Sequence, residues 1–65
     1  MNEESLLPRR EVEKRCGLSR SSIYARMKVG TFPKPVHDPD SSMVWWRSSE
    51  IDAWIQSRID AQRVA

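Results

Sequence analysis

Two glycines, Gly17 and Gly30, bracket a stretch of this chain that has few conformations open to it. Gly17 can end a preceding helix by taking a positive φ without a Cβ clash, and Leu18 can then plug the corner. Ser19 is suited to cap a new helix, because its hydroxyl can accept a bond from an orphan amide of the first turn. Ile23 and Met27 lie four apart on one face, while Arg20, Ser21, Ser22, Tyr24, Arg26 and Lys28 carry polar tips elsewhere. The spacing predicts a helix over residues 20–29, closed by Gly30. Such a rod is apolar along one narrow seam and otherwise basic, hydroxylic and aromatic. Behind a tight turn it reads as the second helix of a helix-turn-helix, suited to a DNA groove.

The remaining sequence has to hold that rod in place with little material. Sixty-five residues make one small domain with a single compact core and no room for a deep substrate cleft. Cys16 is the only cysteine, so no internal disulfide forms, and no Cys/His set has metal-ligand spacing. A cytoplasmic protein is expected, because neither an apolar run of membrane-spanning length nor a signal peptide is present. The net charge is only +2, but its distribution is uneven. Residues 9–34 hold eight basic groups against two acids, a balance of +6, and the rest hold three against seven, a balance of −4. A small dipolar protein of this kind presents one face to polyphosphate.

Leu6 and Leu7 form a short apolar anchor, read as one extended segment against a sheet, after a polar tail over residues 1–5. Pro8 suits the first position of a helix over 9–16, with Val12 and Cys16 on one face and Glu11 and Glu13 near its positive end. Phe32 is expected to turn inward, since the residue before Pro33 must be extended. Residues 34–46 read as strand, turn, strand, a small wing whose turn is set by Asp38, Pro39 and Asp40. Ser48 is a candidate cap for a third helix with an apolar stripe at Ile51, Trp54, Ile55 and Ile59, fraying from residue 60 to 65. Trp46 and Trp54 are expected in the core, and Trp45 on the opposite face of its strand from Trp46.

Four linked segments then carry a resemblance: Leu-x-Arg-x-Glu-Val at 7–12, Gly-Leu-Ser-Arg-Ser-Ser-Ile-Tyr at 17–24, Gly-x-Phe-Pro-x-Pro-Val at 30–36, and Trp-x-x-Ser-Glu-Ile-x-x-Trp-Ile at 46–55. Over roughly residues 6–57 the chain resembles the AlpA family of phage and prophage transcriptional regulators. The resemblance implies a MerR-like winged helix-turn-helix related to phage excisionases. In place of the basic residue that such proteins often carry just before the Trp that precedes the third helix, this chain has Trp45. Its wing is also acidic at the base, over Asp38 to Ser42.

The expected fold is therefore mainly α with a small β-hairpin: three helices and a two-stranded wing, over residues 6–59. The expected DNA contacts begin with Arg20, at the leading end of the groove helix, where an arginine can bond guanine through two donors. Ser19, Ser21, Ser22 and Ala25 permit close approach, although the serines are equally at home as helix-start residues. Lys28 faces outward as a phosphate contact. Tyr24 can either reach a phosphate through its hydroxyl or serve as a half-buried structural residue. Arg9 and Arg10 could clamp the backbone or be an ordinary exposed pair, and Arg26 is placed to pair with an acid such as Glu13. Lys34, His37, Ser41, Ser42 and Arg47 are the wing's candidates. No catalytic set, metal or cofactor is expected, and Cys16 reads as a core thiol.

The function expected is sequence-preferring binding of double-stranded DNA by a transcriptional regulator. Self-association on adjacent sites, a recombinase or RNA polymerase are further partners, since one short groove helix contacts few bases. An excisionase-like protein that bends DNA, and a protein-interaction module acting as antirepressor through Trp45 and Trp54, are the alternatives.

Overall fold

The computed structural model describes residues 3–64; Met1, Asn2 and Ala65, within the predicted tails, lie outside them. The element order is β1 (Leu6–Pro8), α1 (Arg9–Cys16), α2 (Arg20–Lys28), β2 (Val36–His37), β3 (Val44–Arg47) and α3 (Ser48–Val64). The mainly α architecture with a small hairpin is the one expected, with one addition. The extended segment at Leu6 and Leu7 is a third strand, so the sheet has the order β1-β3-β2 and is antiparallel throughout. Leu7 stands opposite Trp46, and Val36 opposite Trp45. Pro8 closes β1 and precedes α1 with an extended ψ of 161°, one residue earlier than its predicted place inside the helix.

The core lies where β1 and β3 meet the three helices. Leu7, Val12, Ile23, Phe32, Trp46 and Ile51 are buried, and Cys16, Leu18, Met27, Val44, Trp54 and Ile55 pack around them. Each element contributes its apolar seam: Val12 from α1, Ile23 from α2, Ile51 from α3. Phe32 turns in as expected and meets Trp46 and Trp54 edge-on, with ring centroids 6.4 and 5.0 Å away. Both indoles have their N–H satisfied by backbone carbonyls, Trp46 by Pro33 at 2.9 Å and Trp54 by Thr31 at 2.8 Å. The loop leaving α2 is thereby fastened to β3 and α3.

Glu4 and Ser5, read in the sequence as part of a polar tail, are instead fastened to the start of α3. Ser5 and Ser48 exchange bonds, with the Ser48 amide donating to the Ser5 carbonyl and the Ser5 amide to Ser48 Oγ, each at 2.8 Å. The capping oxygen of α3 comes from Glu4 rather than from Ser48 itself. Its carboxylate accepts the Ser49 amide at 2.9 Å, the Ser49 and Ser48 hydroxyls at 2.9 and 3.1 Å, and Arg47 Nε at 3.0 Å. An anion at a helix N-terminus is stabilised by the orphan amides and the macrodipole. At its far end α3 continues as a helix to Val64, past the residue where fraying was predicted.

The bonds that Ser49 donates, first from its amide and then from its hydroxyl, hold the Glu4 carboxyl at about 2, from an ordinary value of 4.5. A carboxylate with a depressed folded-state pKa stabilises the fold above its unfolded value and loses that contribution as pH falls. Thermal stability should therefore drop between about pH 4.5 and 2 in part through Glu4. Glu4→Gln should lower stability at neutral pH and flatten the profile across that window. Melting curves of the two proteins that run parallel from neutral pH to pH 2 would show that Glu4 does not hold α3.

Candidate nucleic-acid interface

Helix α2 is defined at both ends by its own sequence. Ser19 caps it, with Oγ accepting the Ser22 amide at 3.2 Å. Gly17 turns the chain beforehand at φ 68°, donating to the Glu13 carbonyl at 2.8 Å. At the other end Gly30, at φ 82°, donates to the Met27 carbonyl and Thr31 to that of Arg26, which is the paired closure that needs a left-handed residue. Ile23 is fully buried beneath the helix and Met27 packs beside it. Ser21, Ala25 and Lys28 are exposed on the side away from the core.

Two concavities flank this helix and share Tyr24 and Val44 as a common wall. The first, of about 520 Å³, has Tyr24, Met27, Pro35 and Val44 as an apolar floor and Lys28, Lys34 and His37 as a charged and polar rim. The second, of about 350 Å³, brings Arg9 and Arg10 from α1 together with Arg20 and Tyr24 from α2 and Ser42 and Met43 from the hairpin. Residues distant in sequence thus converge on one surface formed by the start of α1, the flank of α2 and the wing. Among the described residues Arg10, Arg20, Lys28 and Lys34 have no acid partner.

The other predicted residues are placed differently. Arg9 lies in the second concavity but pairs with Glu13, its Nε 3.0 Å from the carboxylate. Arg47 lines neither concavity and is engaged by Glu4 on the far end of β3. Ser19 and Ser22 bond each other through their hydroxyls at 3.1 Å. Ser41 donates to Asp38 at 2.8 Å and accepts the Met43 amide at 3.1 Å. The Asp38 carboxylate also accepts the Asp40 amide at 2.9 Å, and these bonds, Asp40's first, hold its pKa below the ordinary carboxylate value. The acid at the base of the wing is thus part of the turn that shapes it.

Arg26 does not reach Glu13, which Arg9 occupies. Its guanidinium lies over the Trp54 ring at 5.7 Å, with Arg58 over the same ring at 5.2 Å. Trp54 and Trp45 are each half-buried rather than a free apolar surface. Sequence reasoning passed over Met43, half-exposed in the second concavity, and Pro35 and Val44, which floor the first. Strand alternation would have separated Met43 and Trp45 from Val44 and Trp46, but not said which helix each pair faces.

Chemistry of other kinds finds little support in the same surface. Burial pushes the Cys16 thiol up, away from the reactive thiolate. Among the described residues no cluster of three His, Cys, Asp or Glu side chains could hold a metal ion, and no helix is long and apolar enough to cross a membrane.

Comparison with known proteins gives a family. Residues 5–59 match the family described as prophage CP4-57 regulatory protein (AlpA). ORF88, an uncharacterized protein of Enterobacteria phage P4, is 36% identical over 63 residues, covering 97% of this chain and 70% of its own length. No solved structure matches the chain significantly.

Proposed function

This chain belongs to the AlpA family of prophage regulatory proteins, and from that premise we propose that it regulates by binding double-stranded DNA with a preference for sequence. In this reading α2 enters the major groove, Arg20 reads a base edge, and Arg10, Lys28 and Lys34 contact phosphates. The hairpin lies along the neighbouring strand. The observation that carries the reading is the convergence of unpaired cations from α1, α2 and the wing on one surface, divided by the Tyr24 ring. The apolar floor between the cations suits deoxyribose, and the short, exposed Ser21 and Ala25 let the helix approach base edges closely.

Titration of a fluorescent duplex at several salt concentrations tests it. Each phosphate neutralised contributes a slope of about −0.9 in log affinity against log salt, so three contacts give about −3. Absent binding, or binding indifferent to salt, would exclude a DNA role and favour a protein partner. One observation supports a second reading, in which the protein also bends its DNA. Met43 is 50% exposed beside the cations of the second concavity, where an apolar side chain can part a base step.

A further inference from the structure

We infer that Tyr24 is a positioning residue for sequence reading: its ring, and not its hydroxyl, holds Arg20 in the orientation that recognises guanine. The inference rests on the DNA-binding reading above and adds to it the residue on which the base preference depends.

Arg20 and Tyr24 are four apart on α2 and so share one flank of the helix. The Arg20 guanidinium lies over the Tyr24 ring, 5.8 Å from its centroid, within the range at which the negative face of an aromatic attracts a cation. A guanidinium held over an aromatic face by its charge keeps its N–H groups free for other acceptors. Those groups form the fork that matches O6 and N7 of guanine. An arginine not so held samples many rotamers, and ordering them on binding costs affinity for the one base that needs the fork.

The ring is itself well placed to serve as a fixed platform. It is 38% exposed and stands as the wall between the two concavities, with Val44 beside it in both. Among the described residues its hydroxyl forms no hydrogen bond, so no bonding partner there accounts for a tyrosine. The other arginine of α2 makes the comparison. Arg26 lies over an aromatic ring at a similar distance, but that ring is Trp54 of α3. Arg20 is the arginine held over a ring at the leading end of α2. Lys28, one turn beyond Tyr24, carries a compact ammonium and not a planar fork.

Selection of bound duplexes from a random pool by the intact protein, repeated with Arg20→Ala, identifies the guanine whose preference depends on Arg20. The ratio of affinities for duplexes with and without that guanine is then measured for Tyr24→Phe and Tyr24→Leu. The ratio is insensitive to any unfolded fraction, because both duplexes meet the same preparation. Phenylalanine keeps an aromatic face and should leave the ratio within about twofold of the parent. Leucine should reduce it by about two- to fivefold, the worth of an exposed cation–π contact. The double variant Arg20→Ala, Tyr24→Leu should discriminate no less than Arg20→Ala alone. A ratio that survives Tyr24→Leu overturns the role of Tyr24 while leaving Arg20's intact. A ratio unchanged by leucine, with Tyr24→Phe weakening every duplex alike, would assign the residue to a phosphate instead. A parent protein with no guanine preference sensitive to Arg20→Ala removes both assignments.

Discussion

Trp46→Ala should leave the chain largely unfolded in water at room temperature, with the helical far-UV signal lost and no cooperative thermal transition. Trp46 is fully buried and sits at the centre of the core, opposite Leu7 on β1 and edge-on to Phe32. Truncating a buried tryptophan to alanine costs about 3–5 kcal/mol, through lost burial and the cavity left behind. A domain of this length has a total stability of only ~3–10 kcal/mol, so the loss is comparable with the whole. The indole also ties the loop after α2 to β3 through its bond to the Pro33 carbonyl. Trp46→Phe separates the two contributions. It refills most of the volume and gives up the bond, so a folded protein melting several degrees lower is expected, since an intramolecular hydrogen bond is worth about 1 kcal/mol. Trp45→Ala, at a half-buried position, should cost less than Trp46→Ala. An alanine variant at Trp46 that still melts cooperatively near the parent temperature would mean that the core is organised around other residues.

The parts of this fold that could be read from the sequence are those fixed by neighbours along the chain. Gly17 and Ser19 set the turn and the start of α2 through bonds that reach no farther than four residues. Asp38 and Ser41 shape the wing over a similar span. What escaped prediction joins residues far apart. Glu4 reaches Ser49 across 45 positions, and nothing in a local pattern distinguishes it from Glu3 or Glu50 as the acid that caps α3. Leu6 and Leu7 are the expected extended segment against the sheet, but its partner β3 and its register are of the same long-range kind, because a three-residue strand has too few positions to show a period.

The site divides along the same line. Its candidate members on α2 follow from helical spacing, and the lysines and arginines that line the two concavities all fall within the basic stretch 9–34. Which cations are already taken depends on rotamers. Arg9 goes to Glu13 and Arg47 to Glu4, Arg26 is drawn over Trp54 away from the two concavities, and among the described residues Arg10, Arg20, Lys28 and Lys34 line them with no acid partner, Arg20 lying over Tyr24 within that surface. A charge count treats these seven alike. The contacts are what separate cations placed to meet a polyanion from those engaged within the fold.

That separation makes the contributions of Arg20 and Lys28 distinguishable. Arg20→Ala should cost about 1–3 kcal/mol on the preferred duplex and much less on a duplex of unrelated sequence, so that discrimination at one base pair relaxes. Lys28→Ala should weaken both duplexes by the same factor and make the salt slope shallower by about 0.9. The physical difference lies in what each group offers. Arg20 is a planar fork held on the Tyr24 ring, able to match two acceptors whose presence depends on the base. Lys28 is a point charge on an exposed turn, and a phosphate in its reach would be the same whatever the sequence. Exposed side chains contribute little to folding here, so Lys28→Ala should keep the parent melting temperature and Arg20→Ala should stay within a few degrees of it, and changes in binding can be read on folded protein. Anisotropy titrations of the two variants against a selected and a scrambled duplex, each at two salt concentrations, make the comparison. Equal losses from Arg20→Ala on both duplexes, with an altered salt slope, would place Arg20 on the phosphate backbone and leave base reading to other residues of α2.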